Sequence, residues 1–210
     1  MEKIDFKKQY ARLFKASAKA PALVEAPPLD YLMIDGEGDP KAPAFQEAIE
    51  ALYGLSYTLK FTFKNRSEAD WGVPPLEALW WADAPDQGEA FRTHNTAAWR
   101  WTAMILQPPV VTAAAVDAAR EELKRRGKAG AFDRARLERL DEGLSAQIMH
   151  VGPHDAVAPV IGRLHAFIHE SGYELAGKHH EIYLSDPRRT APEKLKTLLR
   201  EPVRKAGDNA

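Results

Sequence analysis

The stretch "GKHHEIYLSDPRR", residues 177–189, sets three groups that can move or hold a proton at alternate positions: His179, Glu181 and Tyr183. Strand alternation turns these three to one side and His180, Ile182 and Leu184 to the other. Ile182 and Leu184 suit a core. A carboxylate between an imidazole and a phenol suits a ligand, because it can take a proton from water or hold a cation. The plainer alternative is an exposed edge strand, with Glu181 paired to Lys178 or Arg188. Walled in by aromatic rings, the charged carboxylate would lose solvation and its pKa would rise.

Five tryptophans crowd one region: Trp71, Trp80, Trp81, Trp99 and Trp101. In "PLEALWW", Glu77, Leu79 and Trp81 share a face opposite Leu76, Ala78 and Trp80. In "AWRWTAMI", Trp99, Trp101, Ala103 and Ile105 share a face. Core filling is the commoner role for any one tryptophan. Clustered rings beside an acid also suit a flat, apolar or cationic molecule, with area from the rings and counter-charge from Glu77.

Other chemistries find little support. His165 and His169 stand four apart, a spacing that can hold zinc on one helix face, yet no third ligand is spaced with them as in HExxH. No metal and no cofactor is expected. "DGEGDP" lacks the lysine of a P-loop and the third glycine of a dinucleotide fingerprint. "GLSAQ" lacks the flanks of a nucleophile elbow. The chain has 210 residues and no cysteine, so disulfides and thiolate chemistry are excluded. With 29 basic and 30 acidic residues intermixed, it has no electrostatic footprint for nucleic acid or an anionic membrane. The charged start has no signal-peptide stretch and no window spans a bilayer, so a cytoplasmic protein is expected. With no long apolar stripe left over, a monomer is expected.

The elements that must hold these residues follow from periodicity. Residues 5–16 predict a short amphipathic helix, and "APALVEAPPLD" an edge strand stopped at Pro27-Pro28. "DYLMIDGEGDP" predicts a strand, and the stretch after Pro43 a helix carrying Phe45, Ile49, Leu52, Leu55 and Leu59. "PPLEALWWAD", the polar loop "APDQGEAFRTHN" and "AAWRWTAMILQPP" predict an antiparallel hairpin. Residues of about 112–140 predict two charged helices around Gly127–Gly130. "LSAQIMHVGPHDAVAPVIGRLHAFIHESGYEL" then repeats the strand, glycine loop and helix of the first third, which suggests an internal duplication. The predicted layout is a helix and edge strand over 1–28, a small-molecule-binding domain over 29–203 with 112–140 inserted, and a frayed tail over 204–210.

"YLMIDGEGDP", "PLEALWWAD", "WRWTAMILQP" and "GKHHEIYLSDPRRTAPEKLKTLLREPV" resemble the GyrI-like small-molecule-binding proteins, most of all their longer stand-alone branch. The likeness runs from about Asp5 to Val203, and the last stretch is its most specific part. It implies an α+β fold of duplicated β-α-β-β halves, a curved antiparallel sheet and a groove for flat or cationic xenobiotics. It further implies that Glu181, in the family's final E-x-Y segment, lies in that groove with Tyr183. The branch is similar to cofactor-independent cyclopropanoid cyclopropyl hydrolases, which open the strained ring of alkylators of the yatakemycin and CC-1065 type; other members only bind drugs. Glu181 and Tyr183 are thus the catalytic candidates. Glu77, Trp81, Trp99, Trp101 and His179 are the ligand-binding ones.

Overall fold

The computed structural model describes residues 3–82 and 96–207. The chain divides into two compact units, one of Met1–Gln9 with Leu29–Leu140 and one of Tyr10–Pro28 with Asp141–Ala210. In chain order the elements begin with strand β1 (Lys3–Ile4) and two short helices, α1 (Phe6–Gln9) and α2 (Ala11–Phe14). The single helix expected over 5–16 is therefore broken at Tyr10, where the chain leaves one unit for the other. Next come β2 (Ala22–Ala26) and β3 (Leu29–Glu37), separated by Pro27 and Pro28.

Helix α3 (Pro43–Asn65) starts on a proline, whose missing N–H costs nothing at a first turn. Phe45, Ala48, Leu52, Leu55, Leu59 and Phe63 recur at helical spacing and are all buried. Strands β4 (Asp70–Trp71), β5 (Glu77–Ala82) and β6 (Trp99–Leu106) follow. The polar loop expected between β5 and β6 lies outside the described residues. In α4 (Ala113–Arg125) the Thr112 hydroxyl caps the first turn by accepting the Ala115 N–H at 3.2 Å.

The second helix expected near 131–140 is a 3₁₀ turn followed by strand β7 (Arg136–Leu140), which pairs antiparallel with β3. In "RLERL" Leu137 and Leu140 stand three apart, a spacing that suits a helix, so the available edge of β3 and not the sequence pattern decides the matter. After β8 (Gly143–Val151) come helix α5 (Ala158–Glu170), β9 (Tyr173–Leu175), β10 (His179–Tyr183) and β11 (Lys196–Lys205). Residues 204 and 205, expected in a frayed tail, belong to β11, and the last three residues lie outside the described ones. β11 runs on because Arg204 and Lys205 pair with β9, and Arg204 Nε meets Glu174 at 2.6 Å.

Each unit repeats one plan, a first strand, a helix, then an antiparallel pair. In the first unit β6 lies between β5 and β3, with β7 on the outer side of β3. In the second unit β11 lies between β10 and β8, with β2 on the outer side of β8. The fold is α+β with duplicated β-α-β-β halves, as the sequence likeness implies. In the second unit, Leu164 and Ile168 of α5 pack with Ala146, Ile148, Leu199 and Val203 of the sheet.

Candidate functional site

Register decides which candidates can act together. In the first unit Trp80 lies opposite Trp101, and Ala82 opposite Trp99, so these three indoles share the face covered by α3. Phe45 of α3 packs on Trp101 edge-on at 4.9 Å and on Trp80 at 5.3 Å between ring centroids. Trp101 has 0% exposure. A Cβ on Gly36 would lie 2.1 Å from its ring, so the indole fills space that only a glycine leaves open. Trp101 as it stands has no face to offer a ligand. Glu77 and Trp81 point to the opposite side of the same strands, with the Glu77 carboxylate buried and 3.4 Å from the Tyr31 hydroxyl. Trp81, Trp99 and Trp101 therefore do not form one cage on one face of the sheet.

Sequence reasoning missed a feature of α3. Tyr53, Tyr57 and Phe61, one turn apart, stack at 6.3 Å with interplanar angles of 27° and 22°. Tyr57 and Phe61 are about half exposed, at 48% and 50%. Their helical spacing was the available signal.

The second unit brings its candidates together. β10 turns His179, Glu181 and Tyr183 to the face that also carries Leu199 and Glu201 of β11, the face beneath α5. Tyr183 donates its hydroxyl to Glu181 Oε2 at 2.7 Å. The His179 ring bridges two carboxylates, with Nδ1 2.6 Å from Glu201 Oε1 and Nε2 3.4 Å from Glu181 Oε1. His165 reaches down from α5 to the same Glu201 oxygen at 3.3 Å. His154 stands edge-on to the Tyr183 ring at 5.4 Å. Arg188, an alternative partner for Glu181, is bonded to Asp186 in the following turn.

The electrostatics run against simple desolvation. Burial alone pushes the Glu181 carboxyl up, but the His179 imidazolium, the Tyr183 hydroxyl and the more distant His154 outweigh it and hold it below the usual carboxylate range. The rise expected from a wall of tryptophans gives way to a fall, because the walls are an imidazolium and a hydroxyl. Burial lowers His179, yet Glu201 and Glu181 raise it to about 10. Burial raises Glu201, yet His179 and His165 bring it to about 2. The arrangement is an imidazolium clamped between two carboxylates, one of which, Glu181, carries a phenol on its other oxygen.

Glu201 and His165 were not singled out as partners of Glu181 from the sequence. Glu201 lies 20 residues along the chain, and only the β10–β11 register brings it to His179. Among the described residues, no group of three or more His, Cys, Asp or Glu is arranged to hold a metal ion. Nor is any helix among them long and apolar enough to cross a membrane.

Comparison with known proteins finds relatives for this duplicated β-α-β-β fold. Residues 130–204 match the GyrI-like small molecule binding domain. A hydrolase from Listeria innocua is 36% identical over 96% of this chain and 100% of that one, with a TM-score of 0.83. A hydrolase encoded by lin2189 from the same organism is 35% identical over 97% and 100% of the two chains, with a TM-score of 0.86. An uncharacterized conserved protein of Listeria innocua is 35% identical over 96% and 100%, with a TM-score of 0.88. No curated protein matches the chain. The chain belongs to the GyrI-like small-molecule-binding family.

Proposed function

We propose that this protein binds flat aromatic or cationic xenobiotics and hydrolyses the cyclopropane ring of cyclopropanoid alkylators as a cytoplasmic protection, with Glu181 meeting the substrate. The observation that carries the reading is the partly buried, ionised Glu181 carboxylate, fixed by His179 and Tyr183. The hydrolases similar to this chain support the reaction type.

The reaction needs no cofactor. Water attacks the cyclopropane carbon, a C–O bond forms, the strained C–C bond breaks, and its electron pair moves through the dienone to the oxygen. Glu181 takes the water proton and later returns it to the phenolate, so the sum is addition of one water. Because His179 and Tyr183 depress its pKa, Glu181 is deprotonated at neutral pH but is a weaker base than a carboxylate with a raised pKa would be.

That same depression favours a second reading, in which Glu181 is a counter-ion in a binding protein that sequesters cations. One variant separates the two. With a cyclopropanoid alkylator, the wild type is expected to yield the ring-opened, water-added product by mass, and Glu181→Gln to slow turnover about 10²–10⁴-fold. Binding without product, with Glu181→Gln weakening only cationic ligands, would replace hydrolysis by sequestration. Unchanged turnover and binding in Glu181→Gln would remove Glu181 from the site.

A further inference from the structure

Glu201 Oε1 serves two imidazoles at once, and the groups beyond it form an unbroken path. His165 Nε2 lies 3.3 Å from that oxygen, His179 Nδ1 lies 2.6 Å from it, and His179 Nε2 lies 3.4 Å from Glu181. The side chains of Glu181 and His179 are each 14% exposed and that of Glu201 only 4%, whereas His165 on α5 is 43% exposed. A ligand lying on Glu181 would close the direct way to water and leave His165 open to it.

We propose that His179, Glu201 and His165 form a proton outlet for Glu181, through which the site sheds one proton to solvent when Glu181 is neutralised. The inference rests on the reading of Glu181 as the group that meets the ligand. The neutralising event is either a proton from the attacking water or a ligand cation set against the carboxylate. It removes one of the two negative charges that hold the imidazolium of His179, which then keeps its Nε2–H and gives its Nδ1 proton to Glu201 Oε1. His165, a donor to Glu201 in the resting site, first shifts to the Nδ1–H tautomer; it then takes that proton on Nε2 and releases its Nδ1 proton to water. When Glu181 protonates the phenolate, His179 is reloaded along the same path, and the protons balance over the cycle. The site's charge thereby stays constant while the substrate's changes.

Among the described residues, titratable groups on this face include Tyr183 on Glu181 itself, His154 beside Tyr183, Tyr173 of β9 against the core beneath α5, and His150 of β8, whose Nε2 sits 2.9 Å from the Pro153 carbonyl. None of these contacts joins Glu201 to solvent. Glu201 is thus a positioning residue that acts through His179.

The test is a pH titration of histidine-labelled full-length protein by NMR, without ligand. In Glu181→Gln the His179 midpoint should fall from about 10 to near neutrality, the upper end of the roughly 1–3 units that an opposite charge is worth at this distance, and the His165 resonances should respond; a smaller fall leaves His179 charged and the outlet closed. In the Glu201→Gln background, Glu181→Gln should no longer move His165. If Glu201→Gln does not fold, His165→Gln gives the answer at a half-exposed position: exchange of the His179 Nδ1 proton with water should slow. A His179 midpoint indifferent to Glu181→Gln, a His165 response that survives loss of Glu201, or exchange unchanged in His165→Gln would each overturn the outlet. The hydrolysis assay fails separately, since absence of product beside intact linkage rejects the cyclopropanoid reading and leaves the outlet standing.

Discussion

Trp101 and Glu181 both sit on the helix-facing side of a strand, and their surroundings give them different work. Trp101 meets Phe45 and the bare backbone of Gly36 and has no exposed surface. Trp101→Ala is therefore expected to cost about 3–5 kcal/mol of folding stability, the range for losing a buried aromatic, as read by denaturant unfolding. Retained stability with lost ligand binding would return this indole to the site. Glu181, by contrast, keeps some exposure and two polar partners. Its grouping with His179 and Tyr183 was legible in the sequence, because a period of two depends on local backbone alone. Its pKa direction was not. That depends on which residues another strand and a helix bring up, and alternation carries no information on either.

Pairing between elements also governs the other face of β10 and β11. His180 and Arg200 point away from α5 and are almost fully buried, with Glu142 between them. Glu142 accepts from His180 Nδ1 at 2.9 Å and from Arg200 Nη1 at 2.9 Å, while Arg200 Nη2 donates to the Leu13 carbonyl at 2.8 Å. The Gln147 amide meets the Arg12 carbonyl at 2.7 Å, so the segment following α1 is fixed to the sheet by buried side chains. Burial pushes the Glu142 carboxyl up, but His180 and Arg200 pull it down to about 2. Removing one partner of a buried ion pair typically costs about 3–5 kcal/mol, because the other charge is left uncompensated. Glu142→Gln should lower stability by that amount in chemical denaturation, and a loss below about 1 kcal/mol would mean that the Arg200 charge has found other compensation. The strands and the two long helices of the repeat could be read from sequence because their apolar residues keep a single period. β7 could not, since "RLERL" becomes a strand only through the edge of β3.

Charge is nearly balanced along the whole chain, so its pH response is set by a few displaced groups rather than by net repulsion. Glu142 and Glu201 are both depressed from 4.5 to about 2, and Asp70, Asp133 and Asp186 are lowered by lysine or arginine partners. A depressed carboxylate contributes stability that is present above its unfolded pKa and lost as pH falls toward its folded one. For the two glutamates that loss runs from about 4.5 down to about 2. His179 has the opposite sign. Its pKa rises on folding from 6.5 to about 10, so its contribution is complete below 6.5 and disappears as pH climbs to about 10. Stability should accordingly be greatest between about 4.5 and 6.5, decline through the alkaline range, and fall steeply in acid. Denaturant unfolding at a series of pH values checks this, with His179→Gln as the control. That variant should flatten the alkaline limb and leave the acid limb of Glu142 in place. An alkaline decline that persists unchanged in His179→Gln would show that this imidazole is not held as an imidazolium between Glu201 and Glu181.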